Sequence, residues 1–399
     1  MPHRRLWLVS LLFVAWLVWA ETSFQFYDHA LGRDLQLSAS RVSLIAGSFL
    51  VPYGLLQIPV GRLLDQGRVD RWIWIAALMA SGFSLTFAFS TDLVGLMLSR
   101  MGTGVACAVA FPASALLARR ALPAHRFALA MGLTDSLLGW GAVFAALIPL
   151  VFPWTVWRQL VVFQALFLAV MVVVPVIALG RGVPSPELPQ NLGGLASPAP
   201  PIQWDRAGVG KVIKACLMYA WGGGFVFGLA QYGLISGLRV WGVERTQWMS
   251  LTMSFGIGVG MVLAGWIGSV ASRRGLVLLT GTGMSVLALI ALLQLPNAMG
   301  GLLLLAALGL GLGLGSSVLA FPIAEDAAPA GQTGLIVAIV NTTGTVTGGV
   351  MSVVSGLILE ASGPGDLNPV LVVYGLLGLF GVAVAAWIQS SGVPAQSAA

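Results

Sequence analysis

The sequence predicts an all-α polytopic membrane protein, twelve transmembrane helices arranged as two groups of six. Three observations carry that prediction. Hydrophobic residues make up 58% of the chain and charged residues 9%, against roughly 25% charged in an ordinary soluble domain. So little charge cannot cover a water-facing surface, and hydrocarbon must replace water over much of it. The apolar residues also fall into twelve long runs, and the basic residues gather in alternate connecting loops.

The runs cover residues 6–26, 42–61, 72–90, 93–118, 127–152, 161–179, 212–238, 248–271, 276–295, 302–323, 335–359 and 369–388. Each is close to the ~20 apolar residues needed to cross a hydrocarbon core of ~30 Å. None alternates with period two, so the runs read as helices rather than barrel strands. A helix also satisfies its own backbone groups where lipid cannot. The first run follows His3-Arg4-Arg5 and resembles a secretory leader, but it continues into Glu21 and further aromatic residues. It is read here as a retained first span.

One segment interrupts the pattern. Residues 180–210 are rich in Pro, Gly, Ser and Asn, including Pro198-Ala199-Pro200-Pro201, and read as a flexible linker. The expected organisation is a first six-helix bundle over 1–179, this linker on the cytoplasmic side, a second bundle over 211–389, and a disordered polar tail over 390–399.

The formal charge of +6 raises the possibility of a nucleic-acid partner, but its distribution points to a membrane instead. With the N-terminus inside, the cytoplasmic set is Arg4, Arg5, Arg62, Arg68, Arg71, Arg119, Arg120, Arg126, Arg181, Arg206, Lys211, Lys214, Arg273 and Arg274. The opposite set is Arg33, Arg41, Arg158, Arg239 and Arg245, with Arg100 inside a span. The positive-inside rule then puts both termini in the cytoplasm. Cys107 and Cys216 sit in apolar runs and read as small hydrophobes, without metal-ligand or redox spacing. No cofactor is expected.

The two halves carry matching segments. Ala110-Phe111-Pro112 ends the fourth run and Ala320-Phe321-Pro322 the tenth, 210 residues later. Asp135-Ser136 and Asn341-Thr342 occupy similar places in the fifth and eleventh, and Gly61 and Gly265 open similar turns. Taken in order, they suggest an internal duplication of the kind found in transporters.

After the second run, Gly61-Arg62-Leu63-Leu64-Asp65 resembles the loop signature of the major facilitator superfamily, Gly-x-Leu-x-Asp followed by basic residues. Gln66 departs from it, Gly67-Arg68 come one place early, and Asp70 precedes Arg71. Arg100 to Gly104 is similar to the family's Arg-x-x-x-Gly segment. The resemblance implies two bundles rocking about a mid-membrane site, with the first, fourth, seventh and tenth spans lining a cavity. The chain is expected in an inner (plasma) membrane. The fifth run has Gly139-Trp140-Gly141 but lacks the Gly-Pro pair common in drug antiporters of that family. Ser269 stands where Asp65 stands in the first half, so any gating contact is expected to be one-sided.

Candidate residues follow. Gly61, Asp65, Arg68 and Arg71 form the gating loop. Asp65 is expected to act as a latch on the start of the eleventh span, where a helix dipole stabilises a carboxylate by roughly 0.3–1 kcal/mol, or else only to mark topology. Glu21, Arg100 and Asp135 are charges inside spans, costly unless paired or hydrated. At 1.5 Å per residue, Glu21 lies ~22 Å from the inner face and Arg100 ~10 Å from the outer, so the two can meet. That pair suits proton coupling, a static ion pair, or substrate carboxylate binding at Arg100. Asp135 reads as a substrate or coupling acid, or as a satisfied packing acid, with Asn341 as its counterpart. Gln25, Gln57, Gln164, Gln231 and Tyr232 are neutral polar candidates, some of them only joining helices. Trp140 and Trp221 are candidate cavity walls, or else lipid-facing packing residues. The glycines at 309, 311, 313 and 315 read as helix packing rather than a phosphate loop.

The three histidines lie in or near loops and no catalytic motif occurs, which argues against an enzyme. The leading expectation is a proton-coupled symporter of a small organic solute, and the alternative a drug or metabolite efflux antiporter. A receptor or assembly factor on a transporter scaffold is a third class. The expected partners are a small-molecule substrate, protons and the lipid bilayer, with no nucleic acid. A monomer would be a complete transport unit.

Overall fold

In a computed structural model, residues 2–147, 157–180, 205–233, 243–295, 299–329, 331–362 and 368–391 are described. Among them are twelve helices long and apolar enough to cross a membrane. They run His3–Phe24, Leu44–Gln66, Val69–Phe89, Leu93–Ala121, Ala124–Leu147, Trp157–Leu179, Arg206–Leu229, Gln247–Ile267, Ala271–Gln294, Gly300–Glu325, Thr333–Ile358 and Asn368–Ser390, here spans 1 to 12. Their order and number match the apolar runs, and their ends move by a few residues.

Those shifts have local causes. Span 7 begins at Arg206 because Asp205 caps it, its carboxylate accepting the Gly208 N–H at 2.7 Å. Residues 206–210 are therefore helix rather than linker, and the linker's remaining 181–204 lie outside the described residues. Asp92 caps span 4 in the same way through Gly95, at 2.9 Å.

Several spans are interrupted near mid-depth. Span 4 breaks at Ala108 and Val109, span 5 at Ser136, and span 10 passes through a 3₁₀ turn at Gly315–Leu319. Span 6 contains a π-helical turn at Ala169–Val173, and span 7 ends by running into another at Val226–Gly233. Irregular backbone at membrane depth is tolerated where protein rather than lipid surrounds it, and the 4/10 pair of breaks follows the repeat seen in sequence.

Glycines bring helices close where the first six spans meet the last six. A methyl on Gly132 of span 5 would stand 2.6 Å from the Met261 carbonyl of span 8. Gly139 lies against Ser254 and Gly258 of the same span. Gly61 faces Gly334 and Ala338 of span 11, where a methyl would stand 2.7 Å from the Ala338 side chain. Gly311 and Gly315 abut span 8 and Gly313 abuts span 9, so the glycine-rich face of span 10 serves helix packing.

The described ends of the chain lie at one end of the assembly. Lys214, near the start of span 7, donates to Ser391 at 2.5 Å, and Gly275 abuts Gln389. His3 stands within electrostatic reach of Asp70 and Arg120. This is the basic end. At the opposite end Arg158 pairs with Asp34 at 3.1 Å and donates to the Ala88 carbonyl at 2.6 Å, tying spans 1, 3 and 6.

Candidate functional site

Three groups of polar side chains are built on this frame. The first closes the basic end. Asp65, at the end of span 2, accepts the N–H groups of Gly334 and Leu335, both at 2.8 Å. These are orphan donors at the start of span 11, so one carboxylate caps a helix belonging to the other six spans. Ser269, its counterpart, instead donates to Gly265 of its own helix at 3.0 Å. The contact is one-sided, as the sequence suggested. Arg68 turns to Asp70, with its Nη2 at 2.6 Å, and that carboxylate raises the guanidinium pKa further. Asp70, a departure from the family signature, thus engages the loop arginine, while Arg71 is exposed.

Two more ion pairs stand at this end. Arg119 at the end of span 4 meets Glu325 at the end of span 10 at 2.5 Å. Arg274 pairs with Asp326 and donates to the Gly268 carbonyl at 2.9 Å. Neither pair is among the sequence candidates; for Arg119 and Glu325 the available signal was opposite charge at the ends of the matching spans 4 and 10.

The second group lies inside the first six spans. Glu21 and Arg100 meet at 2.9 Å, both buried. The guanidinium also stands over the rings of Phe24 at 4.8 Å and Phe49 at 5.1 Å. Glu21 and Arg100 thus share one depth, as their positions along spans 1 and 4 predict, and the pair is close to neutral within an aromatic cage.

The third group lies between the two sets of spans. Asp135, midway along span 5, is fully buried. The Tyr219 hydroxyl of span 7 donates to its two carboxylate oxygens at 3.0 and 3.3 Å. Span 11 contributes Asn341, which donates to Gln57 of span 2 at 2.8 Å. Tyr53 lies beside them, its hydroxyl 3.5 Å from the Asn341 amide and within electrostatic reach of both Asp135 and Glu21. Phe321 lies edge-on to Tyr219, ring centres 4.5 Å apart, and meets Phe111 at 5.2 Å. The matching Ala-Phe-Pro segments therefore face each other between the halves.

Tyr219 and Tyr53 were not singled out in the sequence. The available signal was a tyrosine in mid-span, scarce in a chain with five. Other candidates lie elsewhere. Trp221 is buried against Gly381 of span 12 and Phe225, and Trp140 lies edge-on to Phe255 at the seam of spans 5 and 8. Gln164 donates to Ser23 at 3.2 Å and so joins spans 6 and 1. The side chains of Gln25, Gln231 and Tyr232 lie outside the described residues.

The arrangement can hold one end shut through caps and ion pairs while keeping a buried carboxylate at the centre. Comparison with known proteins agrees with this architecture. The family model described as Major Facilitator Superfamily matches residues 8–351. No curated protein sequence matches the chain. Among solved structures, the human organic anion transporter MFSD10 (TETRAN) superposes with a TM-score of 0.71 over 96% of this chain and 100% of that one, at 14% identity. That likeness speaks for the fold. The chain belongs to the major facilitator superfamily, and it is a multi-pass membrane protein, a secondary transporter and not an enzyme.

Proposed function

We propose that this protein moves a small organic solute by alternating access, coupled to protons, with Asp135 as the coupling carboxylate. The observation that carries the reading is the Asp135–Tyr219 contact. It is a fully buried carboxylate, at mid-depth, whose partner belongs to the other six spans. An ionised acid there costs several kcal/mol unless compensated. Its protonation state and the position of the two halves therefore bias one another.

The same proposal gives the two groups of spans the role of two rocking bundles. The basic end is placed in the cytoplasm by the positive-inside rule, in an inner (plasma) membrane. Asp65, Arg119 and Glu325 hold that end closed in the state described. Glu21 and Arg100 lie within one group and serve chiefly to hold it together. The solved relative is named an organic anion transporter. An anion here would approach an Arg100 that Glu21 already neutralises, so that substrate class gains no support from the site.

Symport is the first reading of the coupling. Exchange of solute against protons is the second, favoured by Asp135 having Tyr219 as its partner and no cation in hydrogen-bonding contact among the described residues. The test is uptake of a labelled solute panel into proteoliposomes under an imposed pH gradient. Wild type should concentrate a solute in response to the gradient, and its sign separates symport from exchange. Asp135→Asn should equilibrate that solute without concentrating it. Equal gradient-driven accumulation by both proteins refutes the coupling role.

A further inference from the structure

Counting charges across the central layer leads further than proton coupling. Arg100 is balanced by Glu21 at 2.9 Å inside the first six spans. Asp135 has one phenol as its hydrogen-bonding partner, and no cationic side chain among the described residues acts on it. The layer is therefore one positive charge short whenever Asp135 is ionised. A run of rings leads away from the carboxylate: Tyr219 bonds it directly, Phe321 lies 4.5 Å from Tyr219 between ring centres, and Phe111 lies 5.2 Å from Phe321. Ring faces attract cations, most strongly when the cation is desolvated.

Resting on the coupling role proposed for Asp135, we infer that the solute carries a cationic group, an amine or quaternary ammonium, which docks on Asp135 against the Tyr219–Phe321–Phe111 faces and displaces a proton from it. The balance is simple. A protonated, neutral Asp135 gives up its proton, the solute's positive charge takes its place, and the layer stays neutral throughout. One carboxylate is neutralised once, so proton and solute exclude each other, and the outcome is exchange, the second of the two readings above, rather than symport. An anionic solute would put a second negative charge into a water-poor layer, where like charges repel most strongly. Gln57 fits either a cationic or a neutral solute. Among the described residues its buried Nε2 has no partner, and it needs an acceptor oxygen rather than an anion.

The test uses two ions of like shape and opposite charge, tetraphenylphosphonium and tetraphenylborate, titrated into the detergent-purified full chain. Calorimetry in two buffers of different ionisation enthalpy reads the protons released. Wild type should bind the phosphonium ion and, at the acidic end of a pH series, release about one proton per ion bound, with the release falling as pH rises. Asp135→Asn should bind it about tenfold more weakly or worse, with no proton release, and Asp135→Glu should restore both. Tyr219→Phe, which leaves the carboxylate in place, should keep the preference for cation over anion and shows that the layer remains folded. Tetraphenylborate binding as strong as phosphonium binding, no phosphonium binding to wild type, or undiminished binding to a folded Asp135→Asn protein overturns the inference. Asp135-dependent cation binding without proton release supports the cation site and instead overturns the proton-coupling role. Asp135-dependent, gradient-driven uptake of an anionic solute does the reverse.

Discussion

The cap that Asp65 places on span 11 sets a measurable price on opening the basic end. Its two carboxylate oxygens accept Gly334 and Leu335 N–H groups at 2.8 Å each. Hydrogen bonds to a charged partner contribute about 1.5–3 kcal/mol, and neutral ones about 0.5–1.5. In Asp65→Asn one amide oxygen can keep one neutral bond, while the amide NH2 faces the second donor. After allowance for the partly exposed position, the closed state should lose about 1–2 kcal/mol relative to the open one. That corresponds to a rise of about 5–30-fold in the open-to-closed ratio. The assay is maleimide labelling of Ala338→Cys in a Cys107→Ala, Cys216→Ala background. Ala338 is fully buried against Gly61, so its labelling rate follows the open population. Ala77→Cys, buried in span 3, is the control for general unfolding and should stay silent. An Ala338 reporter whose rate is the same with Asp65 and with Asn, or an Ala77 reporter that accelerates equally, refutes the latch.

Three further outcomes are expected. Arg119→Glu and Glu325→Arg should each speed labelling of the same reporter, and the double exchange should bring the rate back, because the pair restores its attraction in reverse; a partly exposed pair of this kind is worth about 0.2–1 kcal/mol, and an exchange without recovery refutes the pairing. Gly139→Leu should lower the detergent melting temperature, since any side chain there meets Ser254 and Gly258, with a cost of about 1–3 kcal/mol, whereas Gly82→Leu, in open space, should not; equal shifts would mean that the spans 5 and 8 seam is not tight. Arg100→Leu should cost about 3–5 kcal/mol by taking the guanidinium away from buried Glu21, and Glu21→Leu with Arg100→Leu should recover most of it, which thermal unfolding reads directly; a double variant as weak as the single one would show that the cage, not the pair, matters.

How far the sequence reached depended on whether a feature was local. The twelve spans were legible because each is a continuous apolar run that satisfies its own backbone. The Glu21–Arg100 meeting was legible because depth in a membrane is nearly a ruler: residue number times rise places two charges at one level. The Asp65 cap was legible through the loop signature and through Ser269 at the matching place. Lateral position around a helix was not. Trp221 and Asp135 look alike as mid-span residues, yet one turns to span 12 and the other to the opposite half. Tyr219 escaped notice because a single tyrosine has no periodicity to announce its face. The start of span 7 was misplaced because Arg206 and Lys211 looked like loop. They occupy its first turns, behind an Asp205 cap, where long cationic side chains can reach the interface.

The repeat and its exceptions together explain why the site is asymmetric. Phe111 and Phe321, equivalent in the two halves, meet each other, as residues near a two-fold axis must. The charged residues do not follow that symmetry. Asp65 faces helix N–H groups while Ser269 stays on its own helix, and Asp135 faces a phenol while Asn341 faces Gln57. The first six spans thus supply these carboxylates, and the last six supply neutral donors to them. On the proposed mechanism this division has a consequence. The last six spans, moving as one body, would withdraw Tyr219 from Asp135 and Gly334 from Asp65 in the same step. Neutralising Asp135, by a proton or by a cation, removes the need for the Tyr219 donor and so weakens one of the contacts that oppose the same motion. The central carboxylate then needs no chain of side chains to reach the gate: coupling passes through the rigid displacement itself, and Asp65→Asn should lower the proton or ligand binding needed to open the basic end.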